Sequence, residues 1–150
     1  MGPGDAASKT NTQAIASQVL SICALRKDCV GFLSPYRGDV VGVTSSTTQT
    51  NNVVSFYSNM ASTSFGVFDN GWKYIYDRFA DKYRYVPLNG DVAGLCASVT
   101  ANGTPWFSPA GLNRGAIRGA VKLAYSPTKT ERDALYQKLS LIHISEPTRP

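Results

Sequence analysis

The stretch that decides the fold class is residues 10–33, TNTQAIASQVLSICALRKDCVGFL. Thr10 and Gln13 lie three residues apart, a spacing that predicts the capped start of a helix. Four apolar residues follow at helical spacing and predict its buried face: Ile15, Val19, Ile22 and Cys23. Residues 29–33 are then a short apolar run of the length of a buried strand. The pattern predicts a helix that leads directly into a central strand.

A second helix is predicted further along the chain. Residues 44–52 are polar and rich in threonine, which indicates a connection. The next four apolar residues occupy positions i, i+3, i+4 and i+7: Val53, Phe56, Tyr57 and Met60. This spacing predicts a helix that turns these four side chains toward the core.

Three short runs rich in aromatic residues follow, at residues 65–68, 73–77 and 83–86. Asn70-Gly71 separates the first two runs and predicts a tight reversal with positive φ. A strand pair or a strand–loop–strand unit fits this pattern. Pro87 ends the third run, and its fixed φ suits the first turn of a helix.

A third helix is predicted from about Leu88 to Asn102-Gly103, where the chain has a helix stop signal. Its apolar residues again recur at helical spacing: Val92, Leu95, Cys96 and Val99. Residues 121–124 predict a final short strand. Strands and helices therefore alternate along the chain.

The last helix is predicted from a capping pair, Thr128 with Glu131 three residues later, and it carries Leu135 and Tyr136 inward. The alternation of helices and strands predicts a mixed α/β fold, with a mixed β-sheet and helices packed on it.

The chain divides into three parts. Residues 1–9 lack periodic apolar positions and are interpreted as a disordered or truncated stub, and residues 10–138 form the α/β domain. Residues 139–150, LSLIHISEPTRP, resemble one reading frame of a transposon-end adapter used in DNA sequencing libraries. We interpret them as a non-native translation and exclude them from fold reasoning. The parent protein is then expected to continue beyond Lys138.

Composition and charge exclude several function classes. The single histidine, His143, lies in the excluded segment, so a Ser-His-Asp or Cys-His catalytic arrangement cannot form from native residues. Three cysteines, without a CxxC pair, indicate reduced, packed thiols: Cys23, Cys29 and Cys96. The net charge of +5 is spread along the chain, which is weak support for nucleic-acid binding. We therefore expect no metal, no cofactor and no enzymatic activity.

The most informative segment is residues 105–117, PWFSPAGLNRGAI. Its prolines limit the backbone and its glycines permit turns, which predicts a stiff loop that carries Trp106. The loop either caps the core of its own subunit or contacts another protein, because Trp and Arg are enriched at interfaces. The basic residues nearby form either a charged contact or a solvated face. The candidate interface residues are Trp106, Arg114, Arg118 and Lys122.

The order of a Trp, a Pro-Ala-Gly and an Arg-Gly in residues 105–117 resembles a signature of contractile phage tail sheath proteins. Residues 127–136, with Pro127 and then Glu-Arg-Asp and Leu-Tyr, resemble a second signature of the same family. Looser similarity extends upstream, so the resemblance spans about residues 13–138.

The resemblance implies a structural subunit that polymerises around a tail tube and contracts to drive the tube through the host cell envelope. Its implied partners are further copies of itself, the tail tube protein, and the baseplate and tail terminator proteins, without direct nucleic-acid contact or stable membrane insertion. It implies a virion protein that assembles in the bacterial cytoplasm. In this family terminal arms add strands to a neighbour's sheet, and a chain ending at Lys138 would lack the C-terminal arm.

Three alternatives stay open at the level of sequence. A sheath subunit of a bacterial secretion system or of a phage-tail-like bacteriocin would share the same signatures. A small α/β enzyme or ligand-binding domain predicts a glycine-rich turn after a strand, whereas Ser34-Pro35 follows residues 29–33. A nucleic-acid-binding module predicts binding that weakens steeply with salt.

Overall fold

The computed structural model of the chain describes residues 8–101, 106–111 and 115–138. The elements in this part of the chain are α1 (Lys9–Arg26), β1 (Gly31–Leu33), α2 (Arg37–Val40), α3 (Ser46–Ser58), β2 (Gly66–Phe68), β3 (Trp72–Asp77), β4 (Lys82–Pro87), α4 (Asn89–Ala101), β5 (Lys122–Leu123) and α5 (Lys129–Lys138). Helices are interleaved with strands, so the predicted mixed α/β class is confirmed. The segments 1–7 and 139–150 of the predicted domain division lie outside the described residues.

The strands form two small sheets, a division that the order of elements along the sequence does not reveal. β1 and β2 pair in parallel, with Gly31 opposite Gly66 and Leu33 opposite Phe68. β3 is the middle strand of an antiparallel sheet in the order β4-β3-β5. Because β2 and β3 belong to different sheets, residues 69–71 link two sheets and do not close a hairpin.

The start of α1 corrects the predicted boundary at residue 10. Ser8 is the N-cap, and its hydroxyl oxygen accepts a hydrogen bond from the Asn11 backbone N–H at 3.2 Å. Lys9 lies in the first turn and pairs with the buried carboxylate of Asp39 at 2.8 Å. Ser8 and Lys9 therefore belong to the folded domain, and the predicted cap at Thr10 is wrong.

The buried face of α1 is rotated from the predicted face. It consists of Thr12, Ala16, Leu20 and Cys23. Val19 packs against the core as predicted, but Ile15 is exposed and Ile22 is 56% exposed. The small residues Thr12 and Ala16 are buried where the sequence pattern predicts Ile15 and Ile22. The buried face of α1 is therefore less bulky than predicted.

The Thr-rich stretch 44–52 is mostly helical, which corrects its prediction as a connection. Ser45 caps α3, and Gln49 and Thr50 in its first turns are buried. The Gln49 side-chain amide lies 2.7 Å from the Val40 carbonyl oxygen, and the Thr50 hydroxyl lies 2.7 Å from that of Tyr125. These polar side chains are buried because they find partners in neighbouring segments. The predicted inward face further along α3 is confirmed for Val53, Phe56 and Tyr57. Met60 follows the end of α3 and is partly buried against the core.

The link between the two sheets differs from the predicted reversal. Neither Asn70 nor Gly71 has a positive φ. The Asp69 carboxylate instead accepts a hydrogen bond from the Gly71 backbone N–H at 3.1 Å. A Cβ at Gly71 would lie 2.4 Å from the end of the Leu88 side chain, so a larger residue there would require Leu88 to shift.

The C-terminal helices agree with the sequence in part. Pro87 ends β4 and does not enter α4, and of the predicted apolar face of α4 only Val99 is fully buried. The predicted cap of α5 is confirmed, because the Thr128 backbone N–H donates to the Glu131 carboxylate at 2.8 Å. Leu135 points inward as predicted, whereas Tyr136 is half exposed.

One hydrophobic core joins both sheets to α1, α3 and α5. Its buried residues are Ala16, Leu20, Leu33, Val40, Val53, Phe56, Tyr57, Phe68, Trp72, Tyr125 and Leu135. Trp72 lies at the start of β3 and is fully buried, and its indole N–H donates to the Pro35 carbonyl oxygen at 3.0 Å. The core therefore fixes the start of β3, whose C-terminal half reaches the protein surface at Tyr76.

Candidate interaction surface

The loop after α4 presents Trp106 to solvent. The Trp106 side chain is 78% exposed, and Phe107 beside it is also exposed. The Trp106 ring therefore lies outside the hydrophobic core that the described residues form. A large exposed aromatic side chain is available for contact with another protein.

Glycines fold the described part of this loop. Gly111 has a φ of 120°, and its carbonyl oxygen accepts a hydrogen bond from the Gly115 backbone N–H at 2.8 Å. A Cβ at Gly115 would lie 3.0 Å from the backbone nitrogen and oxygen of Gly111, which is closer than most Cβ atoms approach a neighbour. Arg114, a predicted interface residue between these glycines, lies outside the described residues.

Arg118 and Lys122, the other two predicted interface residues, are both exposed. The Arg118 carbonyl oxygen lies 3.4 Å from the ammonium of Lys73, which also pairs with the Asp91 carboxylate at 2.8 Å. Lys73 is buried, so it fastens the backbone at Arg118 to β3 and α4. Lys122 lies on β5 opposite Tyr74 of β3, with its ammonium 5.1 Å from the Tyr74 ring centre.

Four tyrosines share one face of the β3–β4 hairpin, and we call this group the tyrosine face: Tyr74, Tyr76, Tyr83 and Tyr85. Tyr74 lies directly opposite Tyr85, and Tyr76 lies opposite Tyr83. Their ring centres are 4.7 and 5.1 Å apart in these two pairs. Tyr85 packs against the core, whereas Tyr83 is 54% exposed. The tyrosine face therefore leads outward from the core to solvent.

The tip of this hairpin is a tight turn that carries Phe79. The Asp77 carboxylate accepts hydrogen bonds from the backbone N–H groups of Phe79 and Ala80, and these bonds together with Arg84 lower the pKa of Asp77. Asp81 has a φ of 48° and accepts a hydrogen bond from the Tyr76 hydroxyl, which raises the pKa of Tyr76. The turn leaves the Phe79 side chain with an exposure of 104%.

The tyrosine face and Phe79 were missed as site residues by the sequence analysis. The signal was present in the alternation of residues 82–86, KYRYV, which turns both tyrosines of β4 to one side. Their meeting with Tyr74 and Tyr76 depends on the register of the hairpin. Of the predicted residues, the structure brings Lys122 to this face, while Trp106 lies on a separate loop.

The described residues hold no group of three or more His, Cys, Asp or Glu side chains that could bind a metal ion. Among the described helices, none is both long and apolar enough to span a bilayer. The tyrosine face, with Lys122 beside Tyr74 and with Phe79 at the hairpin tip, is aromatic and basic. Aromatic side chains and arginine are enriched at surfaces that bind other proteins.

Comparison with known proteins identifies the family. The family model of the phage tail sheath protein central domain matches residues 3–146. The tail sheath protein of Vibrio phage KVP40 is 40% identical over 129 residues, which cover 78% of this chain and 19% of that protein. The tail sheath protein of Enterobacteria phage T4 is 38% identical over 134 residues, 83% of this chain and 20% of that protein.

A third relative, the tail sheath protein of Salmonella phage ViI, is 33% identical over 120 residues, 79% of this chain and 19% of that protein. The chain therefore belongs to the phage tail sheath protein family, as the two sequence signatures predicted. It spans about a fifth of the length of these curated relatives.

Proposed function

We propose that the chain is part of a contractile tail sheath subunit, which polymerises around a tail tube and contracts to drive the tube through the host envelope for genome delivery. The observation that carries this proposal is the identity of 33–40% to three proteins named tail sheath protein. Its partners would be further copies of itself, the tube protein, and the baseplate and tail terminator proteins. The protein would act in the virion tail after assembly in the bacterial cytoplasm, without enzymatic activity, cofactor, direct nucleic-acid contact or membrane insertion.

The tyrosine face, Phe79 and Trp106 would supply apolar contacts between subunits. Exposed aromatic side chains bury a large area at little cost in side-chain entropy when they meet a partner. Arg118 and Lys122 would add charge contacts at the rim, where they guide the register of two surfaces more than they add affinity. Arg114 is included among the proposed interface residues only because it belongs to the sequence signature.

Expression of the complete reading frame tests assembly. The source DNA is sequenced past codon 138, the full-length product is purified, and negative-stain electron microscopy is used to look for tubes or stacked rings. The same sequencing run tests the interpretation of residues 139–150 as adapter translation. A product that stays a monodisperse monomer across protein concentration and salt would contradict the sheath proposal.

Matched variants of that product test the surface. Tyr83→Ala and Trp106→Ala remove exposed rings and are expected to reduce the sedimenting, polymeric fraction at least tenfold, since a tyrosine or tryptophan that is an interface hot spot contributes about 2 kcal/mol or more. Gln18→Ala on the exposed side of α1 is the control and should assemble normally. Equal assembly of all three variants would remove the tyrosine face and Trp106 from the interface.

The relatives help to decide whether the sheath belongs to a phage, to a bacterial secretion system or to a phage-tail-like bacteriocin. All three come from phages, which favours a phage sheath over a secretion-system or bacteriocin sheath. Phage genes for tube, baseplate and capsid proteins beside the gene in the source DNA are the expected result. Genes for secretion machinery without capsid genes would reverse this preference.

A further inference from the structure

The outer side of α1 carries apolar residues that the described part of the chain leaves uncovered. Ile15, Ile22 and Leu25 are 41%, 56% and 84% exposed, and we call these three residues the outer stripe. They occupy positions i, i+7 and i+10 and therefore lie along one side of the helix, since seven residues complete nearly two turns. The buried residues Ala16 and Leu20 lie on a different side. α1 thus has a second apolar side in addition to the one in the core.

The outer stripe lies in a segment without charge. Residues 10–25, TNTQAIASQVLSICAL, contain no Asp, Glu, Lys or Arg. A helix side that faces water normally carries charged and polar residues. α5 follows this rule, because Arg132 and Asp133 are among its exposed residues. The composition of α1 is instead typical of the central part of a protein interface, where charged residues are depleted.

The spacing of the outer stripe indicates that its partner is another helix. Apolar residues that recur three or four and seven positions apart form the seam along which two helices pack at a crossing angle of about 20°. From Ile15 to Leu25 this seam is about 15 Å long, at a rise of about 1.5 Å per residue. Binding to a membrane surface fits less well, because an interfacial helix carries Lys or Arg beside its apolar residues.

We propose that the outer stripe is the docking site for a helix of the same sheath subunit, from polypeptide outside this chain. The inference rests on the proposal that the chain is part of a larger sheath subunit. The matched segments cover only 19–20% of each curated relative, so a subunit of that size has much polypeptide beyond the part matched here.

The absence of charge favours a contact within one subunit over a contact between subunits. A contact within one polypeptide is permanent, and permanent interfaces are the most apolar and resemble a core cut in half. Contacts between sheath subunits would have to change during contraction. The docking site is also separate from the proposed assembly surface, because it includes neither the tyrosine face nor Phe79 nor Trp106.

Chemical labelling beside the outer stripe tests this proposal. Gln18 is exposed on the same side of α1, so Gln18→Cys places a thiol there and leaves all three residues of the outer stripe in place. Its alkylation by N-ethylmaleimide at pH 7 is followed in this chain, in the full-length monomer isolated by gel filtration, and in the assembled protein. Trypsin cleaves after Lys9 and Arg26, and tandem mass spectrometry of the peptide between these sites distinguishes position 18 from Cys23.

Labelling at position 18 is expected to be slower in the full-length monomer than in this chain by about tenfold or more, because the docked helix must open first. Assembly should slow it no further. Adding Ile22→Asp to the full-length protein should bring the rate to within about threefold of that in this chain, because burying an unpaired charge opposes docking. Thr130→Asp is the matched control, since it adds the same charge at an exposed position of α5 and should leave the protection unchanged.

Three results would overturn the proposal. Fast labelling in every state would mean that the outer stripe faces solvent. Protection that appears only in the assembled protein would mean that a second copy or another tail protein covers it. Slow labelling in every state would mean that segments of this chain cover it. Because the decisive comparison uses the monomer, a protected monomer that never forms tubes would contradict the sheath proposal and still support the docking site.

Discussion

The two tryptophans of the chain lie in contrasting regions. Trp72 begins β3 in the core, where its ring is fully buried and its indole N–H donates to the Pro35 carbonyl oxygen. Trp106 lies on the loop after α4 and is 78% exposed. One ring is enclosed by the chain itself, and the other is left uncovered by the residues that the structure describes.

The tyrosines repeat this contrast along a single hairpin. Trp72 and Tyr74 lie on the same face of β3 as Tyr76, because alternate residues of a strand share a side. The face is buried at Trp72, packs against the core at Tyr85 of the neighbouring strand, and is exposed at Tyr76. The same residue types therefore stabilise the fold at one end of the hairpin and are available to a partner at the other. Composition alone does not distinguish the two uses.

The largest expected effect separates the two tryptophans. Trp72→Ala removes a fully buried ring and is expected to lower the free energy of unfolding by about 3–5 kcal/mol. Trp106→Ala should change it by no more than about 0.5 kcal/mol, because the ring is exposed. Urea unfolding followed by circular dichroism measures both. If Trp106→Ala lowered the free energy of unfolding by several kcal/mol, the Trp106 loop would be part of the core, and the two tryptophans would not differ in role.

The next effect concerns the partly buried carboxyl group of Asp69, which lies between the two sheets. Burial raises the pKa of Asp69 to about 7, and the negative charge of Asp91 adds to the rise, although hydrogen bonds from Ser34 and Gly71 oppose it. The folded state therefore holds a proton that the unfolded chain releases near pH 4. Its stabilising contribution is complete below about pH 4 and is lost as the pH rises to about 7.

Thermal or urea unfolding between pH 4 and pH 8 tests this sign. The parent chain should lose roughly 2–4 kcal/mol of stability over that range through Asp69, and Asp69→Asn should remove that fall, since the amide resembles the protonated acid. Asp77→Asn is a suitable control, because the pKa of Asp77 is lowered and its contribution is lost only at acid pH. An unchanged pH profile in Asp69→Asn would mean that Asp69 is ionised in the fold at neutral pH.

The buried face of a helix could be predicted where its large apolar residues all lie on one side. In α3, Val53, Phe56 and Tyr57 define the buried side, and the structure agrees. In α1 the small residues Thr12 and Ala16 are buried while Ile15 and Ile22 are exposed. Periodicity detects an apolar stripe but not how closely two elements approach, so the face of α1 could not be read from hydrophobicity alone.

The candidate site was predictable in part for a similar reason. Trp106 and Lys122 could be singled out because they lie in or near a loop of unusual composition, and both are exposed. The tyrosine face required the pairing of β3 with β4, which depends on the left-handed Asp81 in the hairpin turn. Asp81 is not a glycine or an Asn-Gly pair, so local sequence signals gave no register. The ion pair between the buried Lys73 and Asp91 could not be predicted either, because tertiary packing brings β3 and α4 together.

The smallest effect compares two tyrosine hydroxyls. The Tyr57 hydroxyl lies 2.6 Å from the Asp69 carbonyl oxygen and 3.1 Å from that of Leu33, so it joins α3 to the ends of both strands of the parallel sheet. Tyr57→Phe removes the donor of both bonds and should lower the free energy of unfolding by about 1–2 kcal/mol. The Leu33 carbonyl oxygen keeps its hydrogen bond from the Asp69 backbone N–H, so the main loss is the bond to the Asp69 carbonyl oxygen. Tyr83→Phe keeps the ring on the exposed tyrosine face and should change stability by less than about 0.5 kcal/mol. Urea unfolding at pH 7 measures the free energy of unfolding of both variants. Equal losses would mean that the Tyr83 hydroxyl stabilises the fold as much as the Tyr57 hydroxyl.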